Sequence, residues 1–234
     1  MHDGQRHFVQ RAQAMQPLAW LPASAAHIQD TMLQDSGHDW AHLTRVLNAA
    51  RVLWEVEGAG ADWPVIAGAV LFHDVVNLPK DDPRRKQAST MAAQVACDWA
   101  AGQGDWGFDA RQLALLEEAI RCHSYSSGFV AQSLEAQIVS DADRIDALGA
   151  FGIARTFAVG GALGRALAHP VDPLALEREP DDGVWSVDHF FIKLFRLPER
   201  MYTSSAKRLA HKRIEMMRGF LDVMQRELSG EEVL

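Results

Sequence analysis

The sequence predicts an all-α protein on three observations. Apolar residues recur at helical spacing along most of the 234 residues, alternating strand-type runs of useful length are absent, and the periodic segments end on recognisable caps. Apolar residues make up 48% and charged residues 23%, an ordinary globular composition that excludes a disordered, collagen-like or coiled-coil protein. At about 150 residues per domain the length suits one full-sized domain or one domain with an appendage. Residues 1–30 are read as an N-terminal extension and residues 31–234 as the helical domain.

The first strong stripe runs from Ala41 to Glu57, with His42, Val46, Ala49 and Leu53 on one face, and Gly58 stops it. A second helix is expected from about Trp63 to Asn77, carrying Ile66, Val70, His73 and Asp74, with Pro79 beyond it. A third spans Gln87 to Trp99. Asp109 and Gln112 form a capping box for a helix whose stripe is Leu113, Leu116, Ile120 and His123. The next starts near Ser133 and continues through Ile138, Ala142, Ile145 and Leu148 to about Val159. Residues 168–185 hold Pro170, Pro173 and Pro180 among acidic residues and read as a loop insertion. Helices over Val187–Phe195 and Ser204–Leu228 are expected to pack on the bundle.

The formal net charge of −8 leaves no basic field for a nucleic-acid backbone, so long DNA or RNA is not expected as a ligand. A small phosphorylated ligand needs only a local cluster of cations. The longest apolar run, Val65 to Phe72, is too short to span a membrane. Cys97 and Cys122 form neither a disulfide framework nor a zinc knuckle. The apolar stretch at residues 19–26 is flanked and broken by Pro17 and Pro22, unlike an export signal. A cytoplasmic protein is expected, and a homo-oligomer is compatible with the sequence.

Three His-Asp dipeptides occur, His2-Asp3, His38-Asp39 and His73-Asp74, where chance supplies roughly 0.8. Context separates them. Asp39 reads as an N-cap, whereas His73-Asp74 lies inside a strongly apolar helix, where burying an imidazole beside a carboxylate is costly without compensation. A metal ion is the usual compensation. Further donors stand on other stripes: His42, His123 and the cluster Asp141, Asp143 and Asp146. Imidazole with carboxylate and no thiolate suits Mn²⁺, Fe²⁺, Co²⁺, Ni²⁺ or Zn²⁺ rather than a calcium cage. Periodicity does not choose among the three aspartates. For any one of these histidines alone, a hydrogen-bonded core role is the competing account.

His42-Leu-Thr-Arg45-Val46, Leu71-Phe-His73-Asp74 and Ser140-Asp-Ala-Asp143-Arg144-Ile145 resemble, in order and spacing, the H…HD…D signature of the HD-domain metal-dependent phosphohydrolase superfamily. The segment around His123-Ser124 and Leu197-Pro198 resembles a bacterial single-domain subgroup. The resemblance covers about Gly37 to Leu228. It implies an all-α domain whose divalent metal, with Mn²⁺ favoured and Mg²⁺ included, is held by His42, His73, Asp74 and Asp143. It also implies a nucleotide substrate, with hydrolysis of nucleoside triphosphates to monophosphate and pyrophosphate as one outcome.

On this reading metal-activated water attacks phosphorus and Asp74 can accept its proton. His123 is a second-metal ligand, an acid for the leaving oxygen, or a helix-end histidine bonded to a carbonyl. Arg45 and Lys80 are placed to neutralise phosphate. Lys193 either closes over the ligand or is a surface lysine lying along apolar surface. Gly160-Gly161-Ala-Leu-Gly164 follows no strand and is given no phosphate role. The alternatives are a metal-holding, nucleotide-sensing module without turnover and a purely structural helical protein.

Overall fold

The computed structural model describes residues 2–32, 39–78, 82–124 and 128–230. The described residues are helical and contain no strand; an isolated bridge between Ala166 and Trp185 is the sole β-type pairing among them. The chain divides into two compact units, Met1–Asp143 and Arg144–Leu234.

The first unit holds α1 (Asp3–Gln13), α2 (Leu21–Thr31), α3 (Trp40–Glu57), α4 (Trp63–Phe72), α5 (Ala88–Ala101), α6 (Ala110–His123) and most of α7 (Leu134–Asp146). Its centre is α4. Nine of its ten residues are buried, so α4 is apolar on every side and has no outer face. It packs against α2, α3, α5 and α6. Asp62 caps its start by accepting from Val65 N, and Pro64 sits in the first turn, where a missing N–H removes no helical bond.

Helices α1 and α2 contribute Phe8, Leu21 and Ile28 to the core with no exposed surface. Pro22, a break in the sequence reading, occupies the first turn of α2 instead. Ser24 on α2 is fully buried, and its Oγ accepts from both Trp99 Nε1 (2.9 Å) and Trp106 Nε1 (2.7 Å). Trp106 stacks on Trp20 at 4.0 Å and lies over Gly68, where a Cβ would come within 2.5 Å of its ring. A side chain at position 68 would push this indole out of place.

Three expected helices differ in extent, the one read as Val187–Phe195 spanning only Asp188–Ile192. The helix read as Trp63–Asn77 stops at Phe72, so His73 and Asp74 stand at its end rather than inside it. Val75 N bonds Phe72 O at 3.0 Å, a turn one residue tighter than the helix. The helix read from Ser133 to Val159 is two, α7 and α8 (Gly149–Ala162), because Gly149 takes φ +80° at the junction and ends the periodic backbone.

In the second unit Arg213 Nη1 donates to Ile145 O (2.5 Å) and Leu148 O (3.3 Å), satisfying carbonyls that the break leaves without helical partners. This unit also holds α9 (Asp188–Ile192), a 3₁₀ segment at Leu194–Arg200, and α10 (Ser204–Ser229), which packs on α8. Residues 168–185 carry no helix, as expected of an insertion. They are tied by a bidentate pair from Arg178 to the buried Asp188 (2.5 and 2.7 Å).

Ser24→Ala removes the acceptor for two indole N–H groups and should destabilise the protein by about 1–3 kcal/mol, the penalty for a buried donor left unsatisfied. Urea unfolding followed by tryptophan fluorescence should show a lower midpoint with the same slope; an unchanged midpoint would mean that the shared acceptor contributes nothing.

Candidate metal centre

Four helices of the first unit deliver titratable side chains to one place. His42 lies in the first turn of α3, where Asp39 caps the helix by accepting from His42 N at 2.7 Å. His73 is the C-cap of α4, Asp74 follows it, His123 is the last residue of α6, and Asp143 lies in the later part of α7. His42, His73 and His123 are all buried, while Asp74 and Asp143 are half-buried, with side chains 18% and 26% exposed. The donor atoms therefore lie on the wall of the core with the carboxylates toward its edge.

Two of the histidines are oriented by the same device. His73 Nδ1 lies 2.9 Å from Val70 O, and His123 Nδ1 lies 2.6 Å from Ile120 O. A carbonyl oxygen only accepts, so each Nδ1 must carry the proton. In the neutral ring Nε2 then holds the lone pair, and it faces the cluster. The carbonyls used are among those that a helix end leaves without partners.

The Nε2 atoms of His42 and His73 are 3.3 Å apart. Asp74 Oδ2 lies 3.1 Å from His73 Nε2 and 3.4 Å from His42 Nε2, and Asp143 Oδ1 lies 3.9 and 3.6 Å from the same two atoms. Asp74 Oδ1 turns to His123 Nε2 at 3.6 Å. Neighbouring donors around an ion at about 2.1 Å are about 3.0 to 3.4 Å apart in octahedral or tetrahedral geometry. His42, His73 and Asp143 thus could hold a metal ion. The set of two neutral imidazoles and two carboxylates fits a divalent ion, whose charge the carboxylates balance.

Burial opposes the charge on Asp74, but the imidazoles of His73, His123 and His42 around it more than offset this and hold the carboxyl well below the usual range. For His123 burial likewise disfavours the cation. The hydrogen bond and charge of Asp74, helped by Asp143 and Ile120 O, more than offset this and raise the imidazole above its ordinary value.

The other expected site residues are placed as follows. Arg45, one turn along α3 from His42, is half-buried. Lys80 lies outside the described residues, as do His38 and the segment after Ser124. Lys193 is the C-cap of α9 in the second unit. Of the three aspartates left open by periodicity, Asp143 meets the histidines, Asp141 is fully buried, and Asp146 binds Arg155 at 2.8 Å. Arg144, considered as a partner for the aspartates, donates to Arg200 O at 2.5 Å and stacks on Tyr202.

Supporting residues were less legible. Glu118 on α6 accepts from Gln132 N (2.6 Å) and Ser133 N (3.2 Å), bracing the start of the helix that carries Asp143. Nothing local in the sequence marks it, because its partners lie across a loop.

An HD-domain family model matches residues 39–148, which contain α3 to α7 and all five residues of the cluster. YpgQ of Bacillus subtilis is 32% identical over 200 residues, spanning 84% of this chain and 87% of its own. This chain belongs to the HD-domain superfamily. The structure of YpgQ in complex with ADP matches this HD protein with a TM-score of 0.65 at 27% identity, covering 94% of this chain and 96% of that one. An HD-superfamily hydrolase from Bacillus thuringiensis matches at TM-score 0.61 and 29% identity, over 97% and 98%. A protein from Lactobacillus plantarum gives 0.66 at 28%, over 89% and 96%. The HD protein therefore has the fold of the HD-superfamily hydrolases. Among the described residues, no helix is long and apolar enough to cross a membrane.

The two shifts give the metal-free protein a definite pH dependence. Stability from the raised imidazole of His123 is present below its ordinary value of 6.5 and lost as pH rises through the higher folded value; stability from Asp74 is present above its ordinary 3.8 and lost as pH falls through the lower folded value. With chelator present, the melting temperature should fall as pH rises above 6.5, and Asp74→Asn should flatten that fall. A melting curve in chelator that is flat over this range, or equally steep in the variant, would show that the pair is not coupled.

Proposed function

We propose that this protein is a metal-dependent phosphohydrolase acting on nucleotides, cleaving nucleoside triphosphates to monophosphate and pyrophosphate. The observation that carries the reading is the meeting of His42, His73, Asp74 and Asp143 in one donor set on a fold whose relative YpgQ was solved with ADP. These four residues would hold the ion, with Mn²⁺ favoured for a mixed nitrogen and oxygen set. When bound, a divalent ion supplies positive charge against the phosphoryl oxygens and lowers the pKa of water.

The chain's own groups divide the remaining work. Asp74 presents two oxygens in different surroundings: Oδ2 faces His42 and His73, and Oδ1 faces His123. Asp74 would accept a proton from the attacking water. His123, whose Nε2 lies 3.6 Å from Asp74 Oδ1, would serve as the acid for the leaving oxygen. Arg45 and Lys80 would hold the phosphates. A nucleotide substrate and a donor set free of thiolate both suit the cytoplasm.

Incubating the purified, untagged protein with a panel of nucleoside mono-, di- and triphosphates and Mn²⁺, Mg²⁺, Co²⁺, Ni²⁺ or Zn²⁺ should release pyrophosphate from triphosphates. Binding without any released phosphate or pyrophosphate would instead establish a sensing module. Asp74→Ala should lose both bound metal and turnover. Lys80→Ala should retain the metal and weaken apparent affinity about tenfold, as expected for a lost hydrogen bond to a charged group. Full metal occupancy and near-normal hydrolysis in Asp74→Ala would overturn the assignment.

A further inference from the structure

The starts of α4, α6 and α7 are joined by a continuous hydrogen-bonded chain. Gln112 and Asp109 form the capping box of α6, each backbone N–H bonded to the other's side chain (2.8 and 3.1 Å). Gln112 Nε2 then donates to Asp62 Oδ2 at 2.9 Å, while Asp62 Oδ1 caps α4 through Val65 N. Asp62 N in turn donates to Oε1 of Glu135 at 2.9 Å, a buried carboxylate in the first turn of α7.

Two of these bonds do nothing for any single helix. Capping needs only the contacts of Asp109 and Asp62 with their own helices. The bonds from Gln112 to Asp62 and from Asp62 to Glu135 cross between helices, over 50 and 73 residues of chain.

The spacing gives the cross-links a purpose. Eleven residues separate Asp62 from His73, and eleven separate Gln112 from His123. Eleven residues are about three turns and about 16 Å of rise, which returns to the same face. The 62–112 bond at one end and the 73–123 contact at the other, with ring centroids 4.9 Å apart, are therefore matching rungs between two parallel helices. Glu135 stands eight residues, about 12 Å, before Asp143 on the third helix. Sliding any one helix by one residue would move its donor about 1.5 Å and turn it by about 100°, more than separations of 3.1 to 3.9 Å can absorb.

We propose that Gln112, Asp62 and Glu135 are positioning residues for the metal set, fixing the register of α4, α6 and α7 so that His73, His123 and Asp143 converge. The inference rests on the reading of this cluster as a divalent-metal site. Gln112 is the residue to test, since it is only half-buried and can be changed in kind.

Gln112→Glu sets a carboxylate against Asp62, and Gln112→Ala removes the amide without adding charge. Adding Asp62→Asn to Gln112→Glu restores the bond with donor and acceptor exchanged, and both caps keep their acceptors. The readouts are Mn²⁺ affinity by equilibrium dialysis, the visible absorption of the Co²⁺-loaded protein, and circular dichroism to verify folding. Both single variants should bind Mn²⁺ about tenfold or more weakly, the effect typical of losing a ligand's support, with an altered Co²⁺ band. The double variant should recover the wild-type affinity and band. Single variants that melt earlier but keep the wild-type affinity and spectrum would reduce the chain to capping and overturn the positioning role alone. A wild-type protein with no Co²⁺ band would overturn the metal reading and this inference with it.

Discussion

One carboxylate facing three imidazoles is the constraint around which the first unit is arranged. Asp74 meets His42 and His73 through one oxygen and His123 through the other. Such a group stays charged at the wall of an apolar core only if its partners are held in place, since each would otherwise lose hydration without return. The three rings come from three helices, and Asp143 from a fourth. Packing of the whole unit must therefore be accurate to a few tenths of an ångström at this point.

Helix ends supply that accuracy at low cost. A helix leaves its last carbonyls without intrahelical partners, and His73 and His123 each use Nδ1 to satisfy one of them three residues back. The same bond satisfies the backbone, fixes the tautomer and aims Nε2. The helix beginning at Trp63 ends at Phe72, so Val70 O has no helical partner to share with His73 Nδ1. Early termination at Phe72 is thus part of the site's construction.

Around this centre the fold is built from buried aromatic and polar ties. Helix α4 is enclosed on all sides, and the His-Asp pair stands at its end. The indoles of Trp99 and Trp106 share Ser24 as acceptor, locking α2 to the α5–α6 connection. Glu118 braces the start of α7 from the middle of α6. These ties explain why the N-terminal helices belong to the same compact unit as the donors.

Helix class, the limits of α3 and α6 and the candidate donors could be read locally. Apolar spacing follows the 3.6-residue repeat, and a cap such as Asp109 with Gln112 acts within four residues. The match of His42, His73-Asp74 and Asp143 to the family signature likewise needs only order and spacing. Tertiary structure decided the rest, because the deciding partners are distant in sequence. Periodicity left Asp141, Asp143 and Asp146 open, and only packing set Asp143 beside the histidines and Asp146 beside Arg155. Residues 1–30 read as an extension because the family signature begins beyond them, whereas helices α1 and α2 pack on α3 and α4 and contribute buried residues to the core. A stripe that stays apolar past residue 148 does not reveal that Gly149 turns the backbone to φ +80°. Local patterns report what each segment prefers; convergence of atoms from four helices is a property of how their buried faces fit together.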